Sequence, residues 1–173
     1  LDLYLLYWPG RVPFGEVLEG LGTLRDEGKI RHYGVSNVDV DEMSELLDLP
    51  GGEACAVNQV LYSLARREIE SGLMDLCLSH GIGVMAYTPL DSGRLAASEV
   101  VRKVAKRHET SAARVALAWV LRQEGMIAIP KAGRVEHVED NAGALDVHLD
   151  EEDLAELDRE FPPPRGYTPL GVI

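Results

Sequence analysis

Short apolar runs alternate with longer amphipathic segments along the whole chain, and this alternation predicts βα units around a parallel sheet. Five runs are too short for a stable helix, and most are bounded by glycine or proline. We predict buried strands at residues 3–7, 33–36, 56–60, 82–87 and 126–129. A parallel sheet of this size belongs either to an open doubly wound fold or to part of a closed barrel.

Between these runs, apolar residues recur at helical spacing, which predicts helices that cover the sheet. Three such faces are Val17, Leu18, Leu21 and Leu24, then Val40, Met43, Leu46 and Leu47, then Ile69, Leu73, Leu76 and Cys77. Further helices are predicted at residues 99–107, 111–123, 135–145 and 151–159. Asp39 and Glu42 have the spacing of a capping box, and Gly28 and Gly81 stand where helices end.

Polar residues cluster where the predicted strands end, namely Ser36 and Asn37, Asn58 and Gln59, Tyr87, and Lys131. In a TIM barrel this end of the strands is the active-site face. Neither a G-x-G-x-x-G after the first strand nor a P-loop motif is present, which weakens an open nucleotide-binding fold. We therefore predict a single α/β domain over residues 1–173, a partial TIM (β/α)8 barrel of about five parallel βα units.

Composition excludes several classes of protein. The net charge of −12 argues against nucleic acid as a partner, and no apolar stretch approaches the roughly 20 residues of a membrane span. Cys55 and Cys77 have neither metal-ligand nor disulfide spacing, and no pair of histidines has metal spacing, so we expect two reduced, buried thiols in a cytoplasmic protein without a metal site. Because Leu1 opens directly on a core-like strand, we expect these residues to be part of a larger fold.

Five segments, in order, resemble the fourth to eighth strands of the aldo-keto reductases. They are LYLLYWP at 3–9, GKIRHYGVSN at 28–37, VNQV at 57–60, VMAYTPLDS at 84–92 and IPKAGRVEHVEDN at 129–141. The tail FPPPRGYTPL at 161–170 resembles prokaryotic members that reduce small carbonyl compounds. The resemblance implies NADPH-dependent reduction of aldehydes or ketones to alcohols by hydride transfer, in the C-terminal part of such a barrel.

The same resemblance implies a cofactor site. Tyr87 would offer its flat ring to the nicotinamide, and Ser36, Asn37 and Gln59 can supply the donors and acceptors that a carboxamide needs. Pyrophosphate would lie along Pro89, Leu90, Ser92 and Gly93, and the adenosine end on Ile129, Pro130, Lys131 and Ala132, with Asp140 and Asn141 toward the adenine. Lys131 would pair with the 2′-phosphate, so we expect NADPH ahead of NADH, although His137 stands where many animal members have arginine.

The catalytic residues of the family, unlike its cofactor site, are not expected in this sequence. Its Asp, Tyr and Lys belong to the first three strands, which this sequence does not contain, and its histidine should fall at Tyr7. We do not assign Tyr7 as a replacement acid, because an isolated phenol stays protonated up to about pH 10 and the usual lysine neighbour is missing. No catalytic residue is therefore intact, and we predict that Tyr7 and Trp8 line the substrate pocket.

Three functions stay open at this point. The chain could belong to a carbonyl reductase whose other strands come from upstream sequence or another polypeptide. It could be a cofactor-binding remnant without catalysis, or an open α/β domain that binds a nucleotide or a protein. Five strands of an eight-stranded barrel leave two edges and an inner face uncovered, so we expect self-association through the exposed barrel edges.

Overall fold

The computed structural model describes residues 1–173, and five parallel strands form one sheet in the order of the sequence. The strands are β1 (Leu3–Leu6), β2 (His32–Ser36), β3 (Cys55–Leu61), β4 (Gly83–Tyr87) and β5 (Met126–Ile129). Each pairs in parallel with the next, so β1 and β5 are the two edges. The five predicted strands are confirmed, with ends that differ by no more than one residue.

Helices connect the strands and lie against one face of the sheet. They are α1 (Phe14–Asp26), α2 (Val40–Leu47), α3 (Leu73–Ser79), α4 (Glu99–Arg107), α5 (Ala112–Leu121), α6 (Val135–Ala142) and α7 (Glu151–Glu160). The capping box of Asp39 and Glu42 is confirmed at the start of α2, and Gly28 and Gly81 both have a φ of +70°. The first three connections between strands each contain one α-helix and the β4–β5 connection contains two, so the chain forms successive βα units.

Two predicted helices are longer than the helices observed. The third apolar face includes Ile69, but Gly72 with φ 143° separates a 3₁₀ turn at Glu68–Ser71 from α3. The helix predicted at 135–145 ends at Ala142, and a 3₁₀ turn follows it. A Cβ on Gly143 would meet the guanidinium group of Arg114, so this turn lies directly against the Arg114 side chain of α5.

The core lies between the sheet and the helices. It contains 29 buried apolar residues, and its sheet side includes Tyr33, Val35, Val60, Val84 and Ala86. Each of these five is at most 2% exposed. Burial of apolar surface on this scale is the main stabilising contribution to a domain of this size.

The opposite face of the sheet is open. Gln59, Met85 and Ile127 are partners in the strand register, and because side chains alternate they project away from the helices. Ile127 and Ile129 are 41% and 39% exposed. The face that would line the interior of a closed barrel is therefore uncovered within these residues. No helix of the structure is long and apolar enough to cross a membrane.

Candidate functional site

The carboxyl ends of β1, β2 and β4 are tied together by one side chain. Asn37, which follows β2 with φ +58°, accepts a hydrogen bond on Oδ1 from the Tyr87 hydroxyl at 3.0 Å. Its Nδ2 donates to the backbone oxygen of Tyr7 at 3.4 Å and to the Ser36 Oγ at 3.3 Å. The amide of Asn37 therefore works mainly within the protein, where it fixes the position of the Tyr87 ring.

Ser36 and Gln59 differ in their free hydrogen-bonding capacity. The Ser36 hydroxyl already donates to the Gln59 backbone oxygen at 2.8 Å. The Gln59 Nε2 contacts only the sulfur of Met85, at 3.0 Å, and a thioether is a weak acceptor. Gln59 Oε1 accepts no hydrogen bond from the protein. Of the three predicted carboxamide partners, Gln59 is the one with both a donor and an acceptor to offer.

Tyr87 lies at the end of β4, in register with Ile129 at the end of β5. The two residues therefore project from the same face of the sheet. Burial raises the pKa of the Tyr87 phenol above its ordinary value, so at neutral pH the hydroxyl is a donor and carries no charge. A neutral aromatic ring held by one hydrogen bond is suited to stacking against a planar ligand.

The loop after β4 has an unusual backbone. Thr88, Asp91 and Ser92 have φ values of +53°, +48° and +54°, a left-handed region that residues with a Cβ rarely adopt, and Gly93 follows at +85°. Such residues cost about 1–2 kcal/mol each and cluster at functional sites. Within this loop the backbone N–H groups of Leu90 and Ser92 donate to no acceptor in the protein, which leaves them available to an anion.

The same loop forms one wall of a cleft, and the end of β5 forms the other. The cleft has a volume of about 470 Å³. Its lining residues are Thr88, Pro89, Leu90, Ser92, Gly93, Ile129, Pro130 and Lys131. All four residues predicted for pyrophosphate and three of the four predicted for adenosine thus face one space. Lys131 is exposed and makes no ion pair, so its charge is free at one end of the cleft.

The remaining predicted residues lie around α6 and do not line the cleft. Both Asp140 oxygens are already engaged, one by the Ser111 hydroxyl at 2.8 Å and the other by the Arg114 Nε at 2.8 Å. This arrangement joins α6 to the start of α5. His137 is exposed and its Nε2 lies 3.5 Å from an Arg134 nitrogen. The predicted roles of His137, Asp140, Asn141 and Ala132 at the adenine end stay predictions.

Tyr7 and Trp8 extend beyond the end of β1. The Tyr7 residue is 77% exposed. Trp8 lines a shallow depression of about 280 Å³ together with Asn37 and residues of the C-terminal tail. The tail reaches this rim because Asp39 Oδ2 accepts hydrogen bonds from the Tyr167 hydroxyl at 3.1 Å and from the Leu170 N–H at 3.0 Å. A substrate pocket beside Tyr7 and Trp8 would therefore be partly walled by the tail.

The model of the aldo/keto reductase family matches residues 1–160. This chain belongs to the aldo/keto reductase family. It is 47% identical to the methylglyoxal reductase YeaE of Escherichia coli over 178 aligned positions, which cover all of this chain and 63% of that protein. It is 37% identical to the glyoxal reductase of Bacillus subtilis, covering 91% of this chain and 56% of that protein.

Solved structures confirm the fold. An aldo/keto reductase from Klebsiella pneumoniae, in complex with NADP and acetate, superimposes with a TM-score of 0.97 at 46% identity. The match covers 100% of this chain and 63% of that chain. A thermostable aldo-keto reductase in complex with the inhibitor epalrestat gives a TM-score of 0.85 at 35% identity. The five βα units are thus part of an aldo/keto reductase barrel, and the chain spans less than two thirds of the length of these relatives.

Sequence reasoning missed several residues of this aldo/keto reductase rim. Thr88 lines the cleft, and Asp39 holds the tail, although the sequence marked Asp39 only as a helix cap. Asp91 and Arg94 form an ion pair behind the loop. The three-residue spacing of Asp91 and Arg94 was the one available signal. Such a spacing predicts an ion pair only when the backbone between the two residues is known.

Proposed function

We propose that this chain is the cofactor-holding part of an NADPH-dependent carbonyl reductase that converts small aldehydes and ketones to alcohols. NADPH supplies the hydride in such a reaction. The single observation that carries the proposal is the cleft that is lined by the loop after β4 and by Lys131, with Tyr87 directly before its first lining residue, Thr88. Two free backbone amides and a free cation thus line one cleft with an aromatic ring next to it in the chain, and these are the kinds of group that the parts of a dinucleotide need.

The nicotinamide end would be held at the strand ends. Tyr87, fixed through its hydroxyl by Asn37, would lie against one ring face and leave the other to the substrate. Gln59 would bind the carboxamide, since its amide gives up only a weak contact with the Met85 sulfur. Ser36 would contribute as an acceptor, because its own proton is already donated to the Gln59 backbone.

The phosphate end would be held by backbone and charge. The free N–H groups of Leu90 and Ser92 would bind pyrophosphate oxygens, as backbone amides in a concave loop do for anions. Lys131 would pair with the 2′-phosphate, which favours NADPH over NADH. Pro130 and Ile129 would support the adenosine. The proposal gains support from the Klebsiella relative, whose structure is a complex with NADP.

The substrate class follows from the relatives and the tail. Two of the proteins that this chain resembles are named as reductases of methylglyoxal and glyoxal, which are small dicarbonyl compounds. Tyr7, Trp8 and the tail would enclose such a substrate at the rim. Tyr7 stands where the family resemblance places a catalytic histidine, and we assign it to the pocket. We therefore propose that these 173 residues alone bind NADPH without reducing a carbonyl compound.

The test is a fluorescence titration of the purified chain with NADPH and with NADH, followed by an assay of NADPH oxidation with methylglyoxal. We expect NADPH to bind and the oxidation rate to equal that without protein. Lys131→Met should weaken NADPH binding roughly tenfold and leave NADH binding nearly unchanged, because only NADPH carries the 2′-phosphate. Lys106→Met, an exposed change on α4, is the matched control. Equal losses for both cofactors would refute the assigned role of Lys131.

Two properties accompany this function. We propose a cytoplasmic location, because Cys55 and Cys77 are both free and buried, as reduced thiols in a cytoplasmic enzyme would be.

We also propose that the isolated chain self-associates. Its edge strands β1 and β5 have unpaired backbone groups, and the exposed Ile127 and Ile129 offer apolar surface beside one edge.

A further inference from the structure

The loop after β4 contains an ion pair that the proposed function does not use. Arg94 donates to Asp91 at two points, from Nε to Oδ2 at 2.8 Å and from a terminal nitrogen to Oδ1 at 2.7 Å. A two-point contact between guanidinium and carboxylate fixes orientation as well as distance. The Asp91 side chain is 10% exposed and that of Arg94 is 73% exposed. The pair therefore anchors a solvent-facing arginine to a buried carboxylate.

This pair sits at the most unusual part of the loop backbone. Asp91 and Ser92 are consecutive residues with positive φ, and neither is glycine. The Gly93 N–H donates to the Leu90 oxygen at 2.9 Å, and the Arg94 N–H donates to the Asp91 oxygen at 3.0 Å. These bonds make a tight turn that leaves the N–H groups of Leu90 and Ser92 without acceptors. A turn of this kind needs contacts around it that outweigh its strain.

The ion pair is not part of the cleft lining. Leu90, Ser92 and Gly93 line the cleft, whereas Asp91 and Arg94 do not. The arginine can therefore influence a ligand in the cleft through the backbone that the pair holds. Its effect would be specific for the part of the ligand that contacts the loop.

We infer that Arg94 is a positioning residue for pyrophosphate. Through Asp91 it holds the left-handed turn at residues 91–92, and this turn keeps the free N–H groups of Leu90 and Ser92 directed to one anion. The inference rests on the proposed function and deepens it, because it assigns the pyrophosphate affinity to the Asp91–Arg94 ion pair, which does not itself contact a phosphate. Arg94 and Asp91 together set the loop, and Lys131 acts separately at the far end.

A direct contact between Arg94 and a phosphate is the competing explanation, and Asp91→Asn separates the two. If Arg94 bound phosphate directly, loss of the Asp91 charge would release the guanidinium and strengthen NADPH binding. If Arg94 acts by holding the loop, loss of its charged partner loosens the turn and weakens NADPH binding. The two explanations thus predict opposite signs for one substitution of nearly identical shape.

The experiment measures the affinity of NADPH and of adenosine 2′-phosphate, which lacks pyrophosphate, for the full chain and its variants. Arg94→Leu should weaken NADPH binding about tenfold and leave adenosine 2′-phosphate binding unchanged. Arg94→Lys, which retains one hydrogen bond, should fall between wild type and Arg94→Leu. Asp91→Asn should also weaken NADPH binding alone. Arg25→Leu, an exposed change on α1, is the control and should affect neither ligand.

Each other outcome overturns the inference. Unchanged NADPH binding by Arg94→Leu would show that the pair does not hold the site. Equal losses for both ligands would show a general effect on the fold, and tighter binding by Asp91→Asn would make Arg94 a direct ligand. Failure of the wild-type chain to bind either ligand would refute the proposed function and this inference with it, whereas a binding wild type with an unaffected Arg94→Leu refutes only the inference.

Discussion

The two faces of the sheet are built from the same strands and differ in what covers them. On the helical face, residues such as Val35, Val60 and Val84 are at most 1% exposed within one continuous core. On the other face, Gln59, Met85 and Ile127 project into open space, and the polar groups of the rim gather at the carboxyl ends of their strands. The helical face therefore stabilises the fold, and we propose that the rim of the open face binds the cofactor.

The largest expected effect is on the free energy of unfolding, when an isoleucine is truncated on the helical face and, for comparison, on the open face. Ile82→Ala removes a side chain that is 2% exposed in the core, and we expect a loss of about 2–5 kcal/mol in the free energy of unfolding. Ile127→Ala on the open face should cost roughly a quarter of that, because much of the side chain is already in contact with water. Urea unfolding monitored by circular dichroism measures both, and equal losses would contradict the difference between the faces.

An intermediate effect concerns the helical layer. Burial acts to raise the pKa of Asp153, but hydrogen bonds from Arg107 and His108 outweigh it and hold the pKa below its usual value. A carboxylate whose pKa is lower in the folded state stabilises the fold above the unfolded pKa of about 4, and this contribution is lost as the pH falls through the folded value. The helical face should therefore lose stability under acidic conditions.

Asp153→Asn tests this expectation. At neutral pH the substitution should lower the free energy of unfolding by about 2 kcal/mol, because it weakens the bonds to Arg107 and His108. At about pH 3 the wild type and the variant should differ less, since below the unfolded pKa of about 4 the carboxyl group binds a proton in the unfolded state before it does so in the folded state, where the pKa is lowered. Urea unfolding at the two pH values provides the comparison. A difference that does not depend on pH would show that the charge of Asp153 contributes nothing.

The smallest expected effect concerns association through the open face. Ile127→Glu places a charge on the edge strand β5, and we expect it to raise the dissociation constant for self-association about tenfold. Leu145→Glu, which changes an exposed leucine away from the open face, is the matched control and should have little effect. Sedimentation velocity over a concentration series measures both variants. A wild-type chain that stays monomeric throughout would refute the proposed self-association.

Most of the fold could be predicted from the sequence, because it depends on local periodicity. All five strands, the helix at Glu99–Arg107 and the capping box at Asp39 are as predicted. The two errors in helix length lie at Gly72, whose φ is 143°, and at Gly143, where a 3₁₀ turn that lies against the Arg114 side chain begins. Those are tertiary features, and no periodicity of apolar residues reports them.

The rim could be predicted only as a set of residues. Strand ends bring Ser36, Asn37, Gln59 and Tyr87 together, so their proximity followed from the order of the strands. Their individual hydrogen bonds did not, and Asn37 is occupied within the protein where the resemblance suggested a free carboxamide partner. Residues contributed by distant parts of the chain, such as the tail on Asp39, have no signal in local sequence at all.

We place NADPH in the cleft between the loop after β4 and Lys131, with its nicotinamide on Tyr87, and the other proposals depend on this placement. Hydrogen exchange measured by mass spectrometry, with and without saturating NADPH, tests it most directly, because the amides of Leu90 and Ser92 are unbonded in the structure. We predict that NADPH slows exchange in the loop after β4 and at residues 129–132, with little change in α4 and α7. Protection confined to the helices, or a loop whose exchange is unaffected by NADPH, would contradict the account.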